Sequence, residues 1–101
     1  MGIWIGLAHV TPVAGNDALA GAIGAFVPVV ALTSTQDEFV SLLTYSLESH
    51  GFDVVEIEDI ETWEERTQRF PVDEQIQALV RSLKADNPIQ FSTFQSYASE
   101  S

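Results

Sequence analysis

Between Phe26 and Asp59 the chain changes twice between a β-branched run and a helical stripe, with capping chemistry at the borders. Thr35-Gln36-Asp37-Glu38 matches a capping box, in which the Thr35 hydroxyl accepts from the Glu38 amide and the Glu38 side chain reaches back. Phe39, Leu42, Leu43, Leu47 and His50 follow at spacings of three and four, one stripe of a helix that Gly51 can stop in a left-handed conformation. The run before it, Phe26 to Leu32, is apolar on both faces, and Pro28 directs that strand to an edge or a bulge because it cannot donate to a ladder. A third strand follows at once, from Phe52 to about Asp59. Strand, helix and strand in this order call for a crossover connection.

The flanks extend the pattern. Met1 to Val13 reads as a strand with Ile3, Ile5, Leu7 and His9 on one side and Trp4, Gly6, Ala8 and Val10 on the other. Gly15-Asn16-Asp17 is a turn signal, within a loop or short helical turn from Ala14 to Ala25. Val72, Ile76, Leu79, Val80 and Leu83 predict a second helix between Pro71 and Asn87-Pro88, with Asp73 and Glu74 in its first turn and Arg81 and Lys84 in its last. Ile89 to Thr93 alternates as a final strand. The expectation is an α+β fold, an open-faced α/β sandwich of order β-β-α-β-α-β: a mixed four-stranded sheet with two helices on one face. A ferredoxin-like variant lacking its first long helix has this order. Residues 1–95 form the single domain, and 96–101 read as a disordered tail. Strands one and two are apolar on both sides, so the second face needs a cover, either the 14–25 loop or, as the favoured expectation, a second chain in a homodimer.

A chain of 101 residues that is 46% hydrophobic can bury one core, which argues against intrinsic disorder despite a net charge of -11. No cysteine and no apolar stretch behind a basic N-terminus favour a cytoplasmic protein. Ala18 to Gln36 is uncharged, but Gly21, Gly24 and Pro28 interrupt it, so it reads as buried loop and strand rather than a membrane span. Charge is uneven: residues 1–65 hold eleven Asp or Glu and no Lys or Arg, whereas residues 66–101 hold four of each sign. Such a field disfavours nucleic acid and attracts basic proteins or cations.

Seven of the fifteen carboxylates fall between Asp53 and Glu65. In the plain reading Val55 and Ile57 face the helices, Glu56 and Glu58 face solvent, and Asp59 to Glu65 is an exposed connection. The functional reading makes Glu56, Glu58, Asp59, Glu61, Trp63, Glu64 and Glu65 a surface for a basic partner, with Trp63 as an aromatic anchor in an acidic rim. Glu56 and Glu58 with Asp53 or Asp59 could begin a cation site, but the glycine of a Ca²⁺ loop is missing and no metal is assigned. Catalysis has little support. Ser49 and His50 are adjacent on one helix, where neighbouring side chains diverge, and no phosphate loop or cofactor motif is present. The favoured expectation is a non-enzymatic protein-binding module, an inhibitor or immunity-type partner of a basic protein. The alternatives are a small-molecule or metabolic domain with a pocket between the sheet and the 14–25 loop, using Trp4, His9 and Asn16, and a structural homodimer.

Overall fold

The structure is a computed structural model that describes residues 2–16, 19, 21–71 and 73–97. It contains β1 (Gly2–Pro12), β2 (Gly24–Thr33), α1 (Gln36–Ser49), β3 (Phe52–Thr62), α2 (Trp63–Arg69), α3 (Glu74–Arg81), β4 (Ile89–Phe91) and β5 (Gln95–Tyr97). The sheet runs β3-β1-β2-β4, with β5 also on β2, and every pairing is antiparallel. The architecture is therefore α+β with an open sheet. No helix among the described residues is long and apolar enough to cross a membrane.

The first helix forms where the local chemistry places it. Thr35 is its N-cap and its hydroxyl accepts from the Glu38 amide at 3.1 Å. The Glu38 carboxylate reaches one residue further back than a capping box requires, to the Ser34 amide at 3.0 Å. Phe39, Leu43 and Leu47 are buried, and Gly51 closes the helix at φ +87°. His50, which the stripe includes, is exposed and donates from Nδ1 to the Ser46 carbonyl at 2.7 Å, satisfying an orphan acceptor of the last turn.

α1 lies on the sheet face formed by Trp4, Ala8, Val10, Ala25, Val27, Val29 and Ala31. Gly6 belongs to that face, and the Phe39 ring occupies the space above it: a Cβ there would stand 3.0 Å from the ring edge. β2 and β3 are both antiparallel to β1 and hence parallel to each other, so α1 is the crossover between them.

Four expectations about the fold need correction. First, the helices do not share a face. Ile76 of α3 packs with Ile5 and Val30 on the opposite side of the sheet, together with Trp63, Leu79, Val80 and Leu83. The handedness rule governs parallel crossovers, and β4 runs antiparallel to β2, hence also to β3, so the connection through α2 and α3 is free to take the other face. Second, the sheet is antiparallel throughout and gains β5, which takes in Ser96 and Tyr97 from the expected tail. Residues 98–101 lie outside the described residues. Third, α2 replaces the expected exposed connection. Fourth, the second helix begins at Glu74, capped by Asp73, whose carboxylate accepts from the Gln75 amide at 2.8 Å. Val72, the first position of its predicted stripe, lies outside the described residues, as do Asp17 of the predicted turn, Ala18 and Ala20.

Pro28 sits in a central strand, next to an irregularity. Its carbonyl accepts from the Ser92 amide at 2.9 Å, and residues 92–94 separate β4 from β5 on that side. The donor that proline lacks would have pointed toward this break in the ladder.

α2 starts with a full capping box. The Thr62 hydroxyl accepts from the Glu65 amide at 3.1 Å, and the Glu65 carboxylate accepts from the Thr62 amide at 3.2 Å. These bonds to Thr62 hold the Glu65 carboxyl below its ordinary range. Its contribution to stability is thus complete above the ordinary value of 4.5 and fades as pH falls through the lowered one. Thr62→Ala is expected to destabilise the domain by about 1 kcal/mol at neutral pH. In denaturant titrations across pH, the gap from wild type should narrow in acid.

Candidate binding face

β3 is an edge strand with two irregularities, and these decide where its carboxylates point. Opposite β1, His9 pairs with Glu56 but Val10 pairs with Val54, which leaves Val55 as an extra residue. Between the pairs Leu7 with Glu58 and Ile5 with Glu61, β1 advances two residues and β3 three, and within that step Asp59 takes φ 56°. Aspartate tolerates this left-handed backbone better than most side chains.

Residues paired across a ladder share a face. Asp53 opposite Thr11, Glu56 opposite His9 and Glu58 opposite Leu7 therefore lie on one side of the sheet, the side away from α1. Without the bulge at Val55, Asp53 and Glu56 would point to opposite sides. Val54 and Ile57 take the inward positions under α1, while Val55 is 57% exposed, contrary to the strict alternation that turned Val55 inward.

On this face α2 and α3 pack over the end at Ile5 and Val30, and Arg66 of α2 lines a cavity shared with Leu7, Pro28 and Asp59. Beyond that end two rows cross the strands: Glu56, His9, Phe26 and Gln95, then Glu58, Leu7 and Pro28, the second row lying next to α2. His9 stacks on Phe26 with ring centroids 4.5 Å apart, and Tyr97 tilts against both at 5.7 and 5.8 Å. His9 Nε2 meets the Tyr97 hydroxyl at 2.5 Å. Tyr97 lies over Gly24, where a Cβ would overlap its ring and hydroxyl, so glycine is what admits the ring. The three aromatic side chains are half-buried, and Asp53, Glu56, Glu58 and Asp59 are exposed. An apolar centre with an acidic rim results.

Glu56 and Glu58 crowd one another. A hydrogen bond with Glu56, followed by that neighbour's charge, raises the Glu58 carboxyl above its ordinary range, and Asp59 adds to this while His9 opposes it. Like charges this close resist joint ionisation. The carboxylates do not form a cation cage: among the described residues no group of three or more His, Asp or Glu is placed to hold a metal.

The remaining residues singled out from the sequence have other settings. Glu61 is 9% exposed and engages Arg69 at 2.5 Å and Arg66 at 3.7 Å, and both guanidinium groups also lie over the Phe70 ring. Its charge is thereby answered inside the protein. Glu65 serves the α2 cap, and Glu64 is exposed in the first turn of that helix. Trp63 packs against the cluster of Ile5, Val30 and Ile76. Trp63→Ala should accordingly destabilise by about 2 kcal/mol, less than a fully buried ring would, and a chemical melt gives the value directly.

Trp4, His9 and Asn16 are not brought together. Trp4 is on the α1 face, His9 on the other, and Asn16 donates from its side chain to the Gly51 carbonyl at 2.7 Å, tying the loop to the end of α1. A cavity does open beside that loop, but Leu19, Phe91 and Phe94, which the sequence reading did not single out, are among its walls. Tyr97 was likewise overlooked, because three residues of strand carry too little pattern. Comparisons with protein-family models, curated proteins and solved structures give no match.

Proposed function

We propose that the domain is a non-catalytic binding module whose open sheet face meets a basic protein, in the manner of an inhibitor or immunity-type partner. The observation that carries this reading is the crowded pair Glu56 and Glu58 on an exposed edge strand, beside the half-buried His9, Phe26 and Tyr97. A cationic side chain placed between the two carboxylates relieves their repulsion, so part of the binding free energy is prepared in the free protein. The aromatic row supplies apolar area and a stacking surface for a planar guanidinium. The wider field of the first 65 residues, which contain no Lys or Arg, steers a basic partner toward it.

Charge also favours a different protein over a second copy at this face. Packing two copies here would oppose two sets of Asp53, Glu56 and Glu58, and like charges brought together in an interface oppose association. Part of the apolar surface that called for a second chain is covered by α2 and α3.

The test is capture from host lysate on the immobilised protein at low salt. A basic protein should be retained in stoichiometric amount, released by salt, and lost when Glu56→Gln and Glu58→Gln are combined. Retention of no specific protein, or retention that ignores both substitutions, contradicts the reading.

A further inference from the structure

A cavity of about 320 Å³ opens between the C-terminal end of α1, the start of β3 and the C-terminal strands. It lies on the α1 side of the sheet, away from the acidic face, and does not depend on the protein-binding reading. Leu19, Leu47, Phe52, Phe91 and Phe94 form its walls, and among the described residues His50 is the polar one that lines it. Phe94 reaches it because residues 92–94 leave the ladder between β4 and β5, and its ring stands 5.4 Å from that of Phe52. Leu47 and Phe52 are buried, so two of the walls belong to the core. The Asn16 bond to the Gly51 carbonyl secures the loop at the same helix end.

The chemistry of the lining selects a ligand. Its volume is near the small end of ligand pockets, about 300–1,000 Å³, which suits one or two fused rings. Among the described residues no carboxylate, Lys or Arg lines it, which favours a neutral molecule. His50 adds one directional group. Its Nδ1 faces the Ser46 carbonyl at 2.7 Å, and a carbonyl only accepts, so Nδ1 carries the proton. In the neutral ring Nε2 is then the acceptor. We propose that this cavity binds a neutral one- or two-ring aromatic molecule with a hydrogen-bond donor, its rings against Phe52, Phe91 and Phe94 and its donor on His50 Nε2.

Calorimetric titration of the full chain with indole and with 1-methylindole tests this, since the two differ by one N–H donor. Indole should bind once per chain, about tenfold more tightly than its methylated analogue, the discrimination expected of one satisfied acceptor. Leu19→Trp, which adds bulk at a half-buried loop position, should abolish binding of both. His50→Phe, at an exposed position that puts folding at little risk, should weaken indole about tenfold, leave 1-methylindole unchanged and so level the preference. Absence of saturable binding, binding that survives Leu19→Trp, or equal affinity of the two compounds for the wild type would each overturn the proposal.

Discussion

Phe39→Ala is expected to destabilise the domain by about 3–5 kcal/mol, a large share of the ~5–15 kcal/mol by which single domains are stable. The ring is fully buried and stands over Gly6, with Ala8, Val29 and Ala31 on the same face. Small residues on the sheet and a large ring on the helix are complementary here, so Gly6, Ala8 and Ala31 cannot reach into the void and Ile57 can fill only part of it. A cavity that cannot collapse puts the loss toward the upper end of the range. The denaturation midpoint should fall while its slope stays constant. A loss below about 1 kcal/mol would mean that α1 does not sit over Gly6 as described.

Combining Glu56→Gln with Glu58→Gln should move stability and binding in opposite directions. The Glu58 carboxyl is raised above its ordinary range, so its ionisation is less favourable in the folded protein than in the unfolded one. By linkage, the favourable contribution of its protonated form is complete below the ordinary value of 4.5 and is lost as pH rises through the raised value. At neutral pH the ionised Glu58 carboxylate therefore works against folding. Glutamine removes that opposition and can donate where the protonated acid did, so the variant should be the more stable protein at pH 7 and should lose this advantage in acid. Association with a basic partner should slow by about ten- to a thousandfold, the span over which electrostatic steering acts.

Legibility of the fold in the sequence followed the range of the interactions involved. The first helix was readable because Thr35, the stripe from Phe39 to Leu47 and Gly51 act within a few residues of one another. α2 was equally local: Thr62 and Glu65 spell a capping box, hidden by the density of acid around them. The face taken by α3 was not readable, since it depends on the direction of β4 beside β2, which is settled only when distant strands pair. The bulge at Val55 escaped for a related reason. A period of two predicts faces only while no residue is extra, and nothing in Val54-Val55 marks which valine is extra.

The candidate face divides the same way. Exposure of Glu56, Glu58 and Asp59 could be read from composition, whereas the pairing of Glu61 with Arg69, eight residues on, required α2 to bring them together. The tryptophan expected to anchor a partner packs against Ile5, Val30 and Ile76. In its place the apolar centre of the face comes from His9, Phe26 and Tyr97, on three different strands, a convergence that no local window contains.

Under the proposed function, the position of Glu56 and Glu58, rather than net charge alone, sets how fast a basic partner associates. The decisive measurement is the association rate of the captured basic protein with three forms of the chain at low ionic strength. These are the wild type, the Glu56→Gln and Glu58→Gln pair, and a control pair with the same change in charge at the exposed Glu48→Gln and Asp86→Asn. The sheet-face pair should slow association at least about tenfold and flatten its salt dependence, with the control pair within about twofold of wild type. Equal slowing by both pairs would contradict the account and leave the carboxylates of β3 as a solvated edge.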